Sequence, residues 1–228
     1  STASRDSMMK RLQYMEPTAG LREKWQYNNF MFMMQGVVAE KLTGKSWEQN
    51  VQDRIFDSLG MSCSVLDYKS WMASSDKAFG YDVQHDSIVH KTDYYNIAAM
   101  APAGSINSSV NDMAKWVTAW INGGKYQGKE VLPAGYVTEA ISAQRVMSGS
   151  LTGKERTVIY LSNYGFGWML SSYRGHYRAE HGGNIDGFSA STSFYPSDSI
   201  GIVVLCNQDG SAVPGIIRNL VSDRVLGL

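Results

Sequence analysis

The feature that most constrains the fold is a change of hydrophobic period near residue 160. Before it, apolar residues recur every three or four positions; after it, they alternate with period two. The segments GWMLSSY, HYRAEH, FSASTSFY and IGIVVLC read as strands punctuated by Gly, Pro, Asn and Asp. SAVPGIIRNLVSDRVLGL returns to helical spacing and closes the chain. Sequential strands joined by short turns predict an antiparallel sheet, with a helix packed across it to bury its apolar stripe. The expected class is α/β of the α+β kind, helices flanking an antiparallel sheet.

Upstream of that change, Met113, Trp116, Val117, Trp120 and Ile121 form a helical face closed by Gly123 and Gly124. A second helix is expected from about Asn29 to Leu42, with Phe30, Met33, Met34, Val37, Val38 and Leu42 as its buried stripe and Gly44 just beyond its end. SWEQ is a capping box, in which Ser46 and Gln49 satisfy each other's backbone donors, and it starts a helix at Trp47 that runs to Leu59. Met8, Leu12 and Met15 mark a short amphipathic helix that stops before Pro17. Residues 62–108 carry few periodic cues and read as long loops near a site.

Composition narrows the function classes. Lys plus Arg and Asp plus Glu number 21 each, so no global field attracts nucleic acid or an anionic membrane. The longest apolar runs, FMFMM and IVVLC, fall well short of a membrane span. Cys63 and Cys206 are too few and too far apart for a disulfide framework or a zinc site, and both read as small buried residues.

Several motifs fail on their spacing. LTGKS lacks the first glycine of a phosphate-binding loop, since position 39 is Ala39, and it follows a helix where such a loop follows a strand. His176 and His181 are five residues apart, on opposite faces of a strand, so one metal ion cannot easily collect both. No metal and no cofactor is expected. No G-x-S-x-G elbow occurs.

Three further stretches carry the functional argument. In SMMK, Ser7 and Lys10 match Ser-x-x-Lys, the nucleophile signature of penicillin-binding proteins and serine β-lactamases; SSDK repeats the match at Ser74 and Lys77. Ser7 and Lys10 lie about 60° apart on the polar side of their helix, as a solvated pair does. In QYNNFMFMMQG, Tyr27 and Asn29 stand directly before a buried helix, where Asn28 or Asn29 as cap and Tyr27 as staple is the local structural account. In RAEHGGNIDGF, His181 ends a strand and is followed by Gly182, Gly183 and Asn184, which read structurally as a hairpin turn.

Tyr-x-Asn before a helix that runs into LTGKSWEQNVQDRIFDSLGM, then APAGSINSSVNDMAKW, then H-G-G opening a strand pair, resembles the serine β-lactamase and penicillin-binding-protein-like superfamily. The resemblance is to its class C β-lactamase, esterase and D-aminopeptidase-related branch, over nearly the whole chain. It implies the transpeptidase-like architecture and acyl transfer on peptide, D-amino-acid, ester or β-lactam substrates. It implies that Tyr27 transfers the proton and that Asn29 hydrogen-bonds the substrate amide. His181 is then the third-motif residue holding Tyr27 and substrate in one network, Gly182 and Gly183 complete its motif, and Asn184 offers its backbone N–H to the oxyanion. A tyrosine acting as base at neutral pH needs its pKa lowered by about three units, roughly 4 kcal/mol, which a neighbouring cation must supply. A bacterial protein working in the periplasm or outside the cell is the implied setting.

The chain departs from the family pattern at its start. The family's Ser-x-x-Lys opens a long buried helix several dozen residues before the tyrosine, whereas Lys10 precedes Tyr27 by 17 residues. The expectation is therefore one partial domain over 1–228, the C-terminal part of a longer protein. Helices and loops would occupy about 1–158, strands and a closing helix about 159–228, with the nucleophile segment and the first strands missing. The alternative is a catalytically inert fragment or a binding or regulatory homologue. The expected partners are a small-molecule or peptide substrate, the missing N-terminal segment, or a second copy.

Overall fold

The computed structural model describes residues 3–85, 87–94, 96–148, 158–159 and 161–228, which fall into two compact units. The first comprises Ser1–Ala78 and Tyr94–Ser108; the second comprises Phe79–Asp93 and Ser109–Leu228.

The first unit is helical. Helix α1 (Arg5–Leu12) starts at Ser4, whose side chain accepts from Ser7 N–H, and it buries no residue. It is pinned instead by Arg5, whose guanidinium pairs with Glu40 and Glu48 and donates to the Ala98 carbonyl at 3.1 Å. The expected stripe extended to Met15; the helix ends at Leu12 and Met15 is exposed. Helix α2 (Asn29–Thr43) ends at Gly44 in the left-handed conformation, as its sequence predicts. Of the anticipated stripe, however, Met33 is buried while Val38 and Leu42 are exposed. Gly36 shares the buried side, and a Cβ there would meet Pro102 at 2.4 Å.

The helix expected over Trp47–Leu59 forms in three parts. They are α3 (Trp47–Val51), a π-helical turn over Gln52–Phe56, and α4 (Asp57–Leu59), which stops at left-handed Gly60. Half of the capping box is present. Ser46 accepts from Gln49 N–H at 3.1 Å, but the Gln49 amide turns outward to Asp53 at 2.5 Å. Donating its Nε2–H to a carboxylate one turn along is a charge-assisted bond, stronger than the neutral one its Oε1 would accept from the cap's backbone N–H. The stretch read as loops contains α5 (Tyr68–Ala73) and α6 (Ala101–Gly104), with Trp71 stacked on Tyr94 at 4.2 Å between ring centroids. Cys63 is exposed, contrary to expectation, in the turns that follow Met61; Cys206, at the end of an edge strand, is half-buried.

The second unit is built on a sheet. Strands β1 (Tyr81–Gln84) and β2 (Ile88–Lys91) form a hairpin inside the stretch read as loops; β3 (Lys125–Tyr126) and β4 (Lys129–Glu130) form a smaller one. The main sheet has six antiparallel strands in meander order: β5 (Arg145–Ser148), β6 (Ser162–Tyr164), β7 (Met169–Tyr173), β8 (His176–Ile185), β9 (Phe188–Tyr195) and β10 (Ile200–Cys206). The last four are the strands their alternation predicts. The first two are short and were not legible.

One face of the sheet packs α7 (Val110–Ile121) and α8 (Ala134–Ala140). Val117, Trp120, Val137 and Ala140 meet Trp168, Leu170, Ala179 and Phe194 there. The other face packs α9 (Val213–Leu226), with Tyr173, Tyr195 and Ile202 beneath it and the Tyr195 hydroxyl on Ser222 at 2.8 Å. The serines of FSASTSFY explain themselves here. Ser189, Ser191 and Ser193 are buried on the α9 side, and their small volume leaves room for Arg178, Glu180 and Arg218.

Candidate functional site

His181 lies on β8, and the turns at both ends of that strand determine where its backbone points. Arg174 and Gly175 form a two-residue turn closed by the pair Tyr173 and His176; Asp186 and Gly187 form another, closed by Ile185 and Phe188. The closing pair of such a hairpin exchanges both hydrogen bonds, and alternate pairs along the ladder follow suit. Counting from either turn, residues 181, 183 and 185 direct their N–H and C=O toward β9, while 182 and 184 direct theirs the other way. Pairing with β7 stops at Met169 and Glu180. Among the described strands of this unit, none pairs with β8 on that side beyond Glu180. The outward groups of Gly182 and Asn184 therefore line an open edge.

The two glycines are not a hairpin turn. Both lie in extended strand, and neither has positive φ. A Cβ at Gly182 would lie 3.6 Å from the Ala190 carbonyl oxygen, and one at Gly183 would lie 3.6 Å from Ala190 Cβ, which is ordinary contact. Among the described residues of this unit, nothing in the packing demands glycine at either position. A bare strand edge admits the close approach of another backbone or a ligand. The turn itself falls at Gly187, where φ is +84° and a Cβ would strike Thr92 Oγ1 at 2.2 Å.

The Asn184 side chain is committed to holding the loop after β10. Its Nδ2 donates to Asp209 at 2.7 Å, and its Oδ1 accepts from Ser189 Oγ and Gly210 N–H, each at 2.8 Å. With the side chain so anchored, its backbone is fixed at the edge. The His181 imidazole has Nδ1 2.6 Å from the Gly182 carbonyl oxygen and Nε2 3.1 Å from the hydroxyl of Tyr164. Tyr164 was missed in the sequence. It ends a three-residue strand too short to register as alternation, and the glycines of YGFGW disguise it as a loop residue.

Tyr27 and Asn29 belong to the first unit. The N-cap of α2 is Asn28, whose Oδ1 accepts from Phe30 N–H at 2.9 Å, so of the two candidate caps the structure uses Asn28. Tyr27 then stands one residue before the cap, and its ring lies 5.5 Å from that of Phe32, four residues into the helix; this is a hydrophobic staple. Asn29 is the first helical residue and is exposed. Partial burial pushes the Tyr27 phenol above its ordinary value, opposite to what proton abstraction at neutral pH requires.

Neither Ser-x-x-Lys has the geometry of an activated pair. Lys10 lies 2.7 Å from the Asp6 carboxylate with both side chains about three-quarters exposed, and that carboxylate raises the lysine pKa. A lysine that is to accept a proton from serine needs the reverse. Lys77 donates to the carbonyls of Met72 at 3.0 Å and Ser74 at 2.5 Å, while the Ser74 hydroxyl donates to the Asp76 carbonyl at 3.0 Å. Among the described residues, no group of three or more His, Cys, Asp or Glu side chains could hold a metal ion, and no helix is long and apolar enough to cross a membrane.

Helices over an antiparallel meander, with a His-Gly-Gly strand edge, define a penicillin-binding-protein-like class of fold. The chain belongs to the Beta-lactamase family, whose pattern matches residues 1–225. It is 30% identical over 214 residues to the unguisins hydrolase ungD' of Aspergillus campestris, covering 92% of this chain and 38% of that protein. The octameric penicillin-binding protein homologue from Pyrococcus abyssi superposes with a TM-score of 0.84 at 22% identity, over 98% of this chain and 48% of that one. A D-stereospecific amidohydrolase from Streptomyces superposes with a TM-score of 0.75 at 20% identity, over 100% of this chain and 62% of that one. The chain spans about two fifths of the length of the curated relatives it matches.

Proposed function

We propose that this chain is the C-terminal part of a serine hydrolase, acting by acyl transfer on peptide, D-amino-acid, ester or β-lactam substrates. The observation that carries the reading is the open edge of β8: glycines with no packing reason to be glycine, and the outward backbone groups of Gly182 and Asn184. A substrate backbone lies along that edge as an added strand. A serine carried by a longer form of the protein attacks the substrate carbonyl and gives up its proton. The resulting oxyanion accepts a hydrogen bond from Asn184 N–H, the leaving group departs with a proton, and water releases the acyl-enzyme. By the family resemblance, Tyr27 is the proposed proton-transfer group and Asn29 the proposed ligand of the substrate amide, while His181 is the proposed third-motif residue. The raised Tyr27 pKa makes a neighbouring cation a requirement, and the lysine of the nucleophile motif is the proposed source. The family membership and the activities that the relatives are named for, hydrolase and amidohydrolase, support the reaction class.

A second reading is favoured by the engagement of both Ser-x-x-Lys pairs: residues 1–228 alone are inert. Losing the nucleophile costs a serine protease on the order of 10⁶ in rate. A fluorophosphonate or fluorescent penicillin tests both readings. The proposal expects one labelled serine in a form extended upstream, a slower reaction on His181→Ala, and no labelling of residues 1–228. Stoichiometric labelling at Ser7 would overturn the account of the short chain. An extended form with an upstream Ser-x-x-Lys that neither labels nor hydrolyses any of the four substrate classes would overturn the hydrolase.

A further inference from the structure

The contacts of His181 assign its protonation. Nδ1 faces the Gly182 carbonyl oxygen at 2.6 Å, and a carbonyl only accepts, so Nδ1 carries a hydrogen. In the neutral imidazole Nε2 is then a lone pair, and the Tyr164 hydroxyl, 3.1 Å away, donates to it. The two rings meet edge to face, centroids 6.1 Å apart and planes at 72°, which holds the phenol beside the imidazole.

We propose that Tyr164 is a positioning residue for the hydrolase site, fixing the Nδ1–H tautomer and the orientation of His181 beside the open edge of β8. Its functional meaning rests on the hydrolase reading above; its chemistry rests on the Tyr164–His181–Gly182 contacts alone. The arrangement has two consequences for acyl transfer. Nδ1–H engages the outward carbonyl of Gly182, one of the acceptors a substrate strand could otherwise use. And when a proton reaches Nε2, that nitrogen's lone pair takes it, the Tyr164 hydrogen swings away, and the phenol oxygen accepts from the new N–H. His181 changes charge while its ring stays in place.

The test is nitrogen-15 spectroscopy of the imidazoles in the 228-residue chain, which contains four histidines, His85, His90, His176 and His181. His181→Gln identifies the signals to follow. The expected wild-type spectrum shows His181 protonated at Nδ1 and not at Nε2 when neutral. Tyr164→Phe keeps the ring and removes the donor, so His181 should move to a mixture of tautomers. His176, held by Asp198 at 3.0 Å, should not change. A wild-type His181 protonated at Nε2, or one whose signals ignore Tyr164→Phe, overturns the proposal. The wild-type spectrum alone suffices to refute it if the variant does not fold. In an extended, active form Tyr164→Phe should lower kcat about tenfold, the worth of one hydrogen bond, with KM little changed and an altered pH profile. An Nδ1–H tautomer that depends on Tyr164, in a protein whose extended forms never hydrolyse, supports the positioning role and overturns the hydrolase.

Discussion

Replacing Glu180 by Gln removes the negative charge from a nearly dry cluster between β8 and α9. Arg178, 1% exposed, donates to Glu180 Oε1 at 2.9 Å and to Asn219 Oδ1 at 3.2 Å, and its guanidinium lies 4.5 Å from the centre of the Tyr173 ring. Arg218 pairs with the second Glu180 oxygen, with side-chain exposures of only 16% and 15%. Burial lowers the Arg218 pKa, and Glu180 counteracts that shift. An exposed pair contributes about 0–1 kcal/mol, but removing one partner of a buried pair costs roughly 3–5 kcal/mol because the charges left behind stay desolvated. Glu180→Gln leaves two such arginines. Against a total stability of about 5–15 kcal/mol, that is a large fraction. With a urea dependence of about 1–3 kcal/mol per molar, the unfolding midpoint should fall by roughly 1 M or more. Tryptophan fluorescence reports it, since Trp120 and Trp168 lie in the core of the same unit. A midpoint shift below about 0.3 M would refute the reasoning, because the cluster would then behave as a solvated surface pair. Replacing Arg178, Glu180 and Arg218 together by Met, Leu and Met should restore stability to near the wild-type value, which separates stranded charge from lost packing.

Asn28→Ala removes the α2 cap and should cost about 1 kcal/mol in chemical denaturation, whereas Asn29→Ala should stay within roughly 0.5 kcal/mol; equal losses would reject the cap assignment. Gly165→Ala places a Cβ 2.1 Å from the Ala140 carbonyl oxygen, which already accepts from Phe166 N–H at 2.9 Å. Backbone cannot rotate aside as a side chain can, so a loss of about 1–3 kcal/mol is expected, and a thermal midpoint equal to wild type would contradict it. Burial raises the phenol pKa of Tyr27, Tyr94, Tyr136, Tyr173 and Tyr177. The stability they contribute is full below the unfolded value of about 10 and is lost as pH rises through their folded values. Tyrosinate absorbance near pH 10 should therefore be lower in the native than in the urea-unfolded chain, and coincident titrations would argue against it.

The legible parts of this protein are those whose causes are local. Ser46, Gly44 and Gly60 mark helix ends because a hydroxyl acceptor or a left-handed residue is needed within one turn of the helix itself. The α7 face and the last four strands follow from periods of 3.6 and 2. The exposure of Val38 and Leu42 was not legible, because an apolar stripe records the capacity to be buried and not which neighbour arrives. Nor was the hairpin at Tyr81 to Lys91, whose outer strand is wholly exposed and carries no alternation to read.

The candidate site divides the same way. Amino-acid order alone singled out Tyr27, Asn29, His181, Gly182, Gly183 and Asn184, since short motifs survive in one dimension. That Gly182 and Asn184 face an open edge depends on where the β7 ladder stops, at Met169 and Glu180. That Tyr164 reaches His181 depends on a strand two places away in the sheet. Likewise Arg178 and Glu180 sit on the buried side of β8 because α9, some forty residues later, closes over them with Arg218 and Asn219. Period and capping are set by neighbours along the chain, so the sequence by itself determined α2, α7, the last four strands and the closing helix, and the order in which they follow one another. Edges, tautomers and buried charge pairs are set by residues far apart in the chain, and only the tertiary structure decided them.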